Sequence, residues 1–124
     1  MRLLTVDDSA MMRRLVVNAG AVIGAQTLEA ADAAEAWKTL KREGTKISLV
    51  LLDWHMPGMD GLTLLKKIKA DKQLAKIPVM MVTSEGEREN ILKAVRAGAE
   101  NYLAKPYTQE DLITRIMQCV GEIA

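Results

Sequence analysis

Cysteine is almost missing from this chain: Cys119 stands alone, so no intrachain disulfide can form and a small stapled secreted scaffold is excluded. Charge of one sign is missing too. With 17 basic and 16 acidic residues the net charge is +1, which provides no field for nucleic acid or an acidic membrane surface. No charged leader with an apolar core opens the chain, so a cytoplasmic location is expected. Repeats, low-complexity tracts and linkers are absent, so residues 1–124 are read as one domain, long enough to bury roughly 65 to 70 per cent of its unfolded surface. Phenylalanine does not occur, and the eight methionines include the doublets Met11 with Met12 and Met80 with Met81. That composition alone names no function.

What is there is organised around Ile47 to Gly61, ISLVLLDWHMPGMDG. Its apolar run, broken only by Ser48, stops at Asp53. A β-branched and Leu-rich run without alternation is the pattern of a strand buried on both faces of a parallel sheet. Pro57, Gly58 and Gly61 then signal a turn, and a helix follows with Leu62, Leu65 and Ile68 towards the core. Asp53 is thereby placed at the carboxyl end of a central strand, where open α/β sheets put their chemistry.

The same unit recurs along the chain. Leu3 to Val6 is a strand ending in Asp7 and Asp8, with Ser9 as cap of a first helix whose face begins at Met12, Leu15 and Val16. From Leu15 to Ala25 only Asn18 is polar, and Gly20 and Gly24 each weaken a helix by about 1 kcal/mol relative to Ala. Early fraying is the favoured reading of this stretch, and an apolar contact surface is the alternative. A weak strand at Thr27 to Ala31 precedes Asp32 and Glu35 in capping-box spacing and a helix that stops at Gly44. Val79 to Thr83 is a further buried strand. Ser84 and Glu87 open the next helix, with Ile91, Leu92 and Val95 inside, and Gly98 ends it. Asn101 to Ala104, ended by Lys105 and Pro106, is the fifth strand, and Thr108 caps the last helix. Strand and helix alternating in this way imply a doubly wound, five-stranded parallel sheet with right-handed crossovers.

Asp7, Asp8, Asp53, Thr83 and Lys105 therefore gather at strand ends. Carboxylates about 4 Å apart repel by on the order of 4 kcal/mol per pair at an effective dielectric near 20, so such a pocket takes up protons or a cation. Hard oxygen ligands suit Mg²⁺. A carboxylate can also serve as a nucleophile towards phosphorus, with the hydroxyl of Thr83 and the ammonium of Lys105 on the phosphoryl oxygens. Charge and position are nearly all that phosphoryl transfer requires.

Asp7 with Asp8, DWHMPGMDG around Asp53, MVTSE around Thr83 and AGAENYLAKPY through Lys105, in that order, resemble the receiver domains of bacterial two-component response regulators, above all the stand-alone chemotaxis regulators. The resemblance covers the whole chain. It implies a flavodoxin-like fold with strand order 2-1-3-4-5 and phosphorylation of Asp53 by a histidine kinase. It further implies Mg²⁺ held by Asp8, Asp53 and the backbone carbonyl of His55, with Asp7 acting through water, and phosphoryl contacts from Thr83 and Lys105. Tyr102, Ile91 and Arg115 would lie on the surface that changes affinity for a downstream target, among which the flagellar motor switch is implied. Tyr102 read by itself is a half-buried sheet aromatic. His55 and Glu85 would flank the approach of water and tune hydrolysis, and Trp54 is read as packing. A monomer that binds neither nucleic acid nor membrane is expected, and one that is no enzyme beyond slow self-dephosphorylation.

Two departures stand out. His55 occupies a position where the chemotaxis regulators have Asn, and an apolar first helix replaces a charged one. Other functions fit less well. A Mg²⁺-dependent aspartyl-phosphate phosphatase would have Asp where His55 stands and would need a substrate cap. A flavin-binding domain would need a Gly-rich, hydroxyl-rich loop where Asp7 and Asp8 stand. A phosphorelay intermediate, or a receiver cut from a larger regulator, shares every motif.

Overall fold

The structure is a computed structural model that describes residues 1–84 and 88–121, Arg88 by its backbone alone. Five strands, β1 (Arg2–Val6), β2 (Gln26–Ala30), β3 (Leu49–Asp53), β4 (Val79–Ser84) and β5 (Asn101–Lys105), alternate with five helices. The helices are α1 (Ala10–Val22), α2 (Ala33–Glu43), α3 (Gly61–Ala70), α4 (Arg88–Arg96) and α5 (Gln109–Val120), and a 3-10 turn at Gly44–Lys46 follows α2. All strands are parallel, in the order β2-β1-β3-β4-β5. This is the flavodoxin-like doubly wound sheet.

Alternation along the strands builds two cores. Leu4, Val6, Val50, Leu52, Val79 and Met81 face one way and meet α2, α3 and Ala94 of α4. Leu3, Leu49, Leu51 and Met80 face the other way and meet Val16 and Ala19 of α1 and Leu112 and Ile116 of α5. Because both faces are covered, the central strands read as unbroken apolar runs. Apart from Thr5 inside β1, the buried polar residues of the strands stand at or just past their carboxyl ends.

Local details correct several expectations. The first helix does not fray early: α1 runs through Gly20 to Val22, and the chain turns at Gly24 with φ +76°. Gly20 is needed for close approach, since a Cβ there would lie 2.6 Å from the Thr27 hydroxyl oxygen. Of the expected face only Val16 is fully buried, while Leu15 is exposed. In α4 the inward residue is Ala94, and Leu92 and Val95 are 58% and 57% exposed. Of the large apolar side chains expected to turn inward, Ile91 is only partly buried, and the buried position is taken by the small Ala94.

At the start of α2 half of the expected box forms. The Asp32 carboxylate accepts from the Glu35 N–H (2.8 Å), but Glu35 accepts from the Ala31 N–H (3.2 Å) and not from Asp32. Thr108 and Asp111 make the full reciprocal box at α5. Ser84 belongs to β4, and its expected capping partner Glu87 lies outside the described residues.

Candidate functional site

β1 and β3 are neighbours with Leu3 opposite Leu49 and Val6 opposite Leu52. Equal register brings their carboxyl ends level, so Asp7, one residue past β1, and Asp53, the last residue of β3, share one edge. One oxygen from each of Asp7, Asp8 and Asp53 lies within 4.8 Å of the others. Asp7 and Asp53 are buried and Asp8 is exposed. β5 supplies the counter-charge: Lys105 Nζ lies 3.3 Å from Asp7 Oδ2 and 3.3 Å from Asp53 Oδ1.

Thr83 stands on β4 one residue past Val82, the register partner of Asp53. It is 1% exposed, and its hydroxyl has no hydrogen-bond partner among the described residues. A buried hydroxyl left unpaired costs about 1 to 3 kcal/mol. Thr27 Oγ1 is likewise without a partner among the described residues, but only the Thr83 hydroxyl stands at the carboxyl edge with the acids, where it could donate to a ligand oxygen.

The electrostatics follow from burial. Desolvation above all, then the Asp7 carboxylate, push the Asp53 carboxyl above its ordinary range, against the pull of Lys105. The Tyr107 hydroxyl is pushed up to about 12 by burial and by the same two carboxylates. The pocket thus holds more negative charge than it neutralises. Its hard oxygen donors fit a divalent cation of the Mg²⁺ kind, held by Asp7, Asp8 and Asp53.

The backbone around the acids is pinned. Asp7 Oδ1 accepts from the Ser9 N–H (2.9 Å), and the Asp7 carbonyl accepts from Arg13 Nη1 (2.8 Å). The Trp54 N–H donates to the Val82 carbonyl (3.0 Å), and the Gly61 N–H to the Trp54 carbonyl (2.9 Å). A Cβ on Gly61 would overlap the carbonyl oxygen of Asp53. Gly61 had been read as part of a turn, and this close approach has no signal in a single sequence. Arg13 and Tyr107 also received no role, since one acts by bonding a carbonyl and the other by packing.

His55 lies exposed on the loop after β3 and lines an open depression with Asp8, Trp54 and Asp60. Trp54 itself is buried in the core, as its packing role required. Glu85 lies outside the described residues. Tyr102 is half-buried beneath the Arg115 guanidinium, 5.3 Å from its ring centre. Asn101 Oδ1 ties the two by accepting from the Tyr102 N–H (2.8 Å) and from Arg115 Nη1 (2.9 Å). Ile91 is partly buried on α4. Cys119 packs half-buried beside the α5 core, with its thiol pushed up by burial.

A doubly wound sheet with an acid pocket, an opposed lysine and a hydroxyl that has no partner among the described residues, all at its carboxyl edge, is the arrangement of a phosphoacceptor domain. Residues 3–117 match the response regulator receiver domain, and the chain belongs to that family. It is 40% identical over 123 residues to chemotaxis protein CheY1 of Helicobacter pylori, covering 98% of each chain. A chemotaxis protein CheY homolog of Campylobacter jejuni is 41% identical over 123 residues, covering 98% of this chain and 93% of the other. Among solved structures, chemotaxis protein CheY4 of Vibrio cholerae superposes with a TM-score of 0.87 at 27% identity, over 95% of this chain and 97% of that one. Membership of the family implies partners in kind, a histidine kinase as phosphodonor and a downstream protein target. No helix among the described residues is long and apolar enough to cross a membrane.

Proposed function

We propose that this protein is a single-domain chemotaxis response regulator that is phosphorylated on Asp53 and signals to the flagellar motor switch. The observation that supports the site assignment is the Asp7, Lys105 and Asp53 bridge at 3.3 Å, at the same edge as the Thr83 hydroxyl, which has no partner among the described residues. An Asp53 carboxylate oxygen attacks the phosphorus of a phosphohistidine. The P–N bond breaks, and its electron pair returns to the imidazole, which takes up a proton. Lys105 leaves the carboxylates for a phosphoryl oxygen, and the Thr83 hydroxyl donates to another.

A bound Mg²⁺ supplies charge neutralisation for the attacking and transferred oxygens. Asp8, Asp53 and the His55 carbonyl would hold it, with Asp7 acting through water, drawing on the carboxylate oxygens of Asp7, Asp8 and Asp53 that lie within 4.8 Å of one another. The His55 side chain, with Glu85, flanks the approach of water and sets a slow self-dephosphorylation. Tyr102, Ile91 and Arg115 form the surface whose partner affinity changes, in the manner of a local charge event biasing a bistable element. The protein works as a cytoplasmic monomer without nucleic acid or membrane.

Tryptophan fluorescence during addition of Mg²⁺ and then beryllofluoride, an aspartyl-phosphate mimic, tests this reading. Trp37 is half-buried on α2, so the titration is made in a Trp37→Phe background where Trp54 reports alone. A Mg²⁺-dependent response that disappears in Asp53→Asn is expected. No response from a folded protein would overturn the assignment of Asp53.

A further inference from the structure

On the side of the molecule away from α1 and α5, the N-terminal half of α2, the loop after β3 and the outer side of α3 enclose an open groove of about 460 Å³. Its apolar lining comes from Trp37, Pro57 and Met59, with Leu64 buried beneath them, and Lys38 and Lys67 stand beside it. The volume falls within the usual span of ligand pockets, roughly 300 to 1,000 Å³. Neither the acid pocket nor the Tyr102 surface uses these residues.

The rim is charged in one sense. Lys67 Nζ lies 4.1 Å from the Trp37 ring centre and Lys41 Nζ 5.4 Å. Lys41 is already paired with Asp71 at 2.8 Å, whereas Lys38 and Lys67 have no ion-pair partner among the described residues. The one acid lining the groove, Asp32, is occupied as the α2 cap. An ammonium resting on an indole face for want of a carboxylate leaves both groups available to a ligand that carries an acid beside an apolar side chain. Half-buried Trp is also the residue type that most often anchors interfaces.

We propose that this groove docks an acidic amphipathic helix of a partner protein, with an apolar side chain seated on Trp37 and Met59 and flanking carboxylates on Lys38 and Lys67. Charge complementarity decides between occupants, since a basic or purely apolar segment would leave the two ammonium groups uncompensated. The docking does not depend on the phosphorylation reading.

The test is a nitrogen-15 NMR titration of the full chain, without divalent cation or phosphodonor, using a short synthetic helical peptide of Leu and Glu. Saturable shifts of the Trp37 indole N–H and of the Gly58, Met59 and Lys67 amides are expected. Lys38→Glu with Lys67→Glu, both at the rim and checked for folding in the same spectra, should weaken binding about tenfold. A peptide with Lys in place of Glu should not bind. Absence of shifts at Trp37, equal binding of the Lys peptide, or indifference to the charge reversals would overturn the proposal. So would the same shifts on raising protein concentration alone, which would give the groove to a second copy of the chain.

Discussion

Asp53 ends β3 with its carboxyl buried and Asp7 close by, and both conditions favour the protonated form. Its folded pKa is raised above the ordinary 3.8. The stability this gives is therefore fully present below that value and is lost as pH rises through the folded value. At neutral pH, without a cation, ionised Asp53 is a load on the fold. Asp53→Asn should then raise the metal-free melting temperature at pH 7 by about 3 to 5 °C, or roughly 1 kcal/mol, with the gain shrinking towards pH 4. Thermal unfolding in chelator at both pH values measures this, and saturating Mg²⁺ should reverse the order, because binding stabilises the wild type. An unchanged melting temperature would mean that attraction to Lys105 balances burial and the Asp7 repulsion, and a lowered one that it outweighs them. Thr83 separates stability from function more sharply. Thr83→Val keeps the shape and removes an unpaired hydroxyl, so stability should hold or rise by up to about 1 kcal/mol, while beryllofluoride binding weakens roughly 10- to 100-fold, one charge-assisted hydrogen bond. A loss of stability instead would show that the hydroxyl already has a partner in solution.

At the level of elements, two glycines hold helices against the sheet in different ways. Gly20 of α1 faces a side-chain oxygen and Gly61 of α3 faces the Asp53 backbone. Gly20→Ala should cost about 1 to 3 kcal/mol by overpacking, and Thr27→Ala should restore most of it in a double-mutant cycle. Gly61→Ala has no such remedy, since the obstacle is the strand itself, and it should impair stability and beryllofluoride binding together. The helices also mark the limits of sequence reading. The carboxyl ends of β1 and β3, the α2 stop at Gly44 and the Thr108 cap were legible because each rests on local chemistry, whereas β2 ends one residue earlier than expected, at Ala30, and β4 and β5 one residue later, at Ser84 and Lys105. The buried face of α4 was not, because Ala94 turns inward while the larger Leu92 and Val95 turn out. The length of α1 was missed for a related reason: tertiary contact at Gly20 outweighs the intrinsic cost of glycine in a helix.

For the molecule as a whole, abrupt polar endings on apolar strands were enough to assemble Asp7, Asp53, Thr83 and Lys105 at one edge. The contacts that tune that edge, from Arg13, Gly61 and Tyr107, are set by packing between distant segments and could not be read ahead. The sheet order adds a dynamic consequence. β1 and β3, which position Asp7 and Asp53, each have a paired strand on both sides, whereas β5, which ends in Lys105, pairs with β4 alone. Hydrogen exchange should accordingly release the β5 amides before those of β3, and simultaneous release would contradict this. Earlier release at β5 would make the negative half of the pocket the fixed frame and the positive half the moving part, with recoil of the lysine strand carrying news of phosphorylation outward.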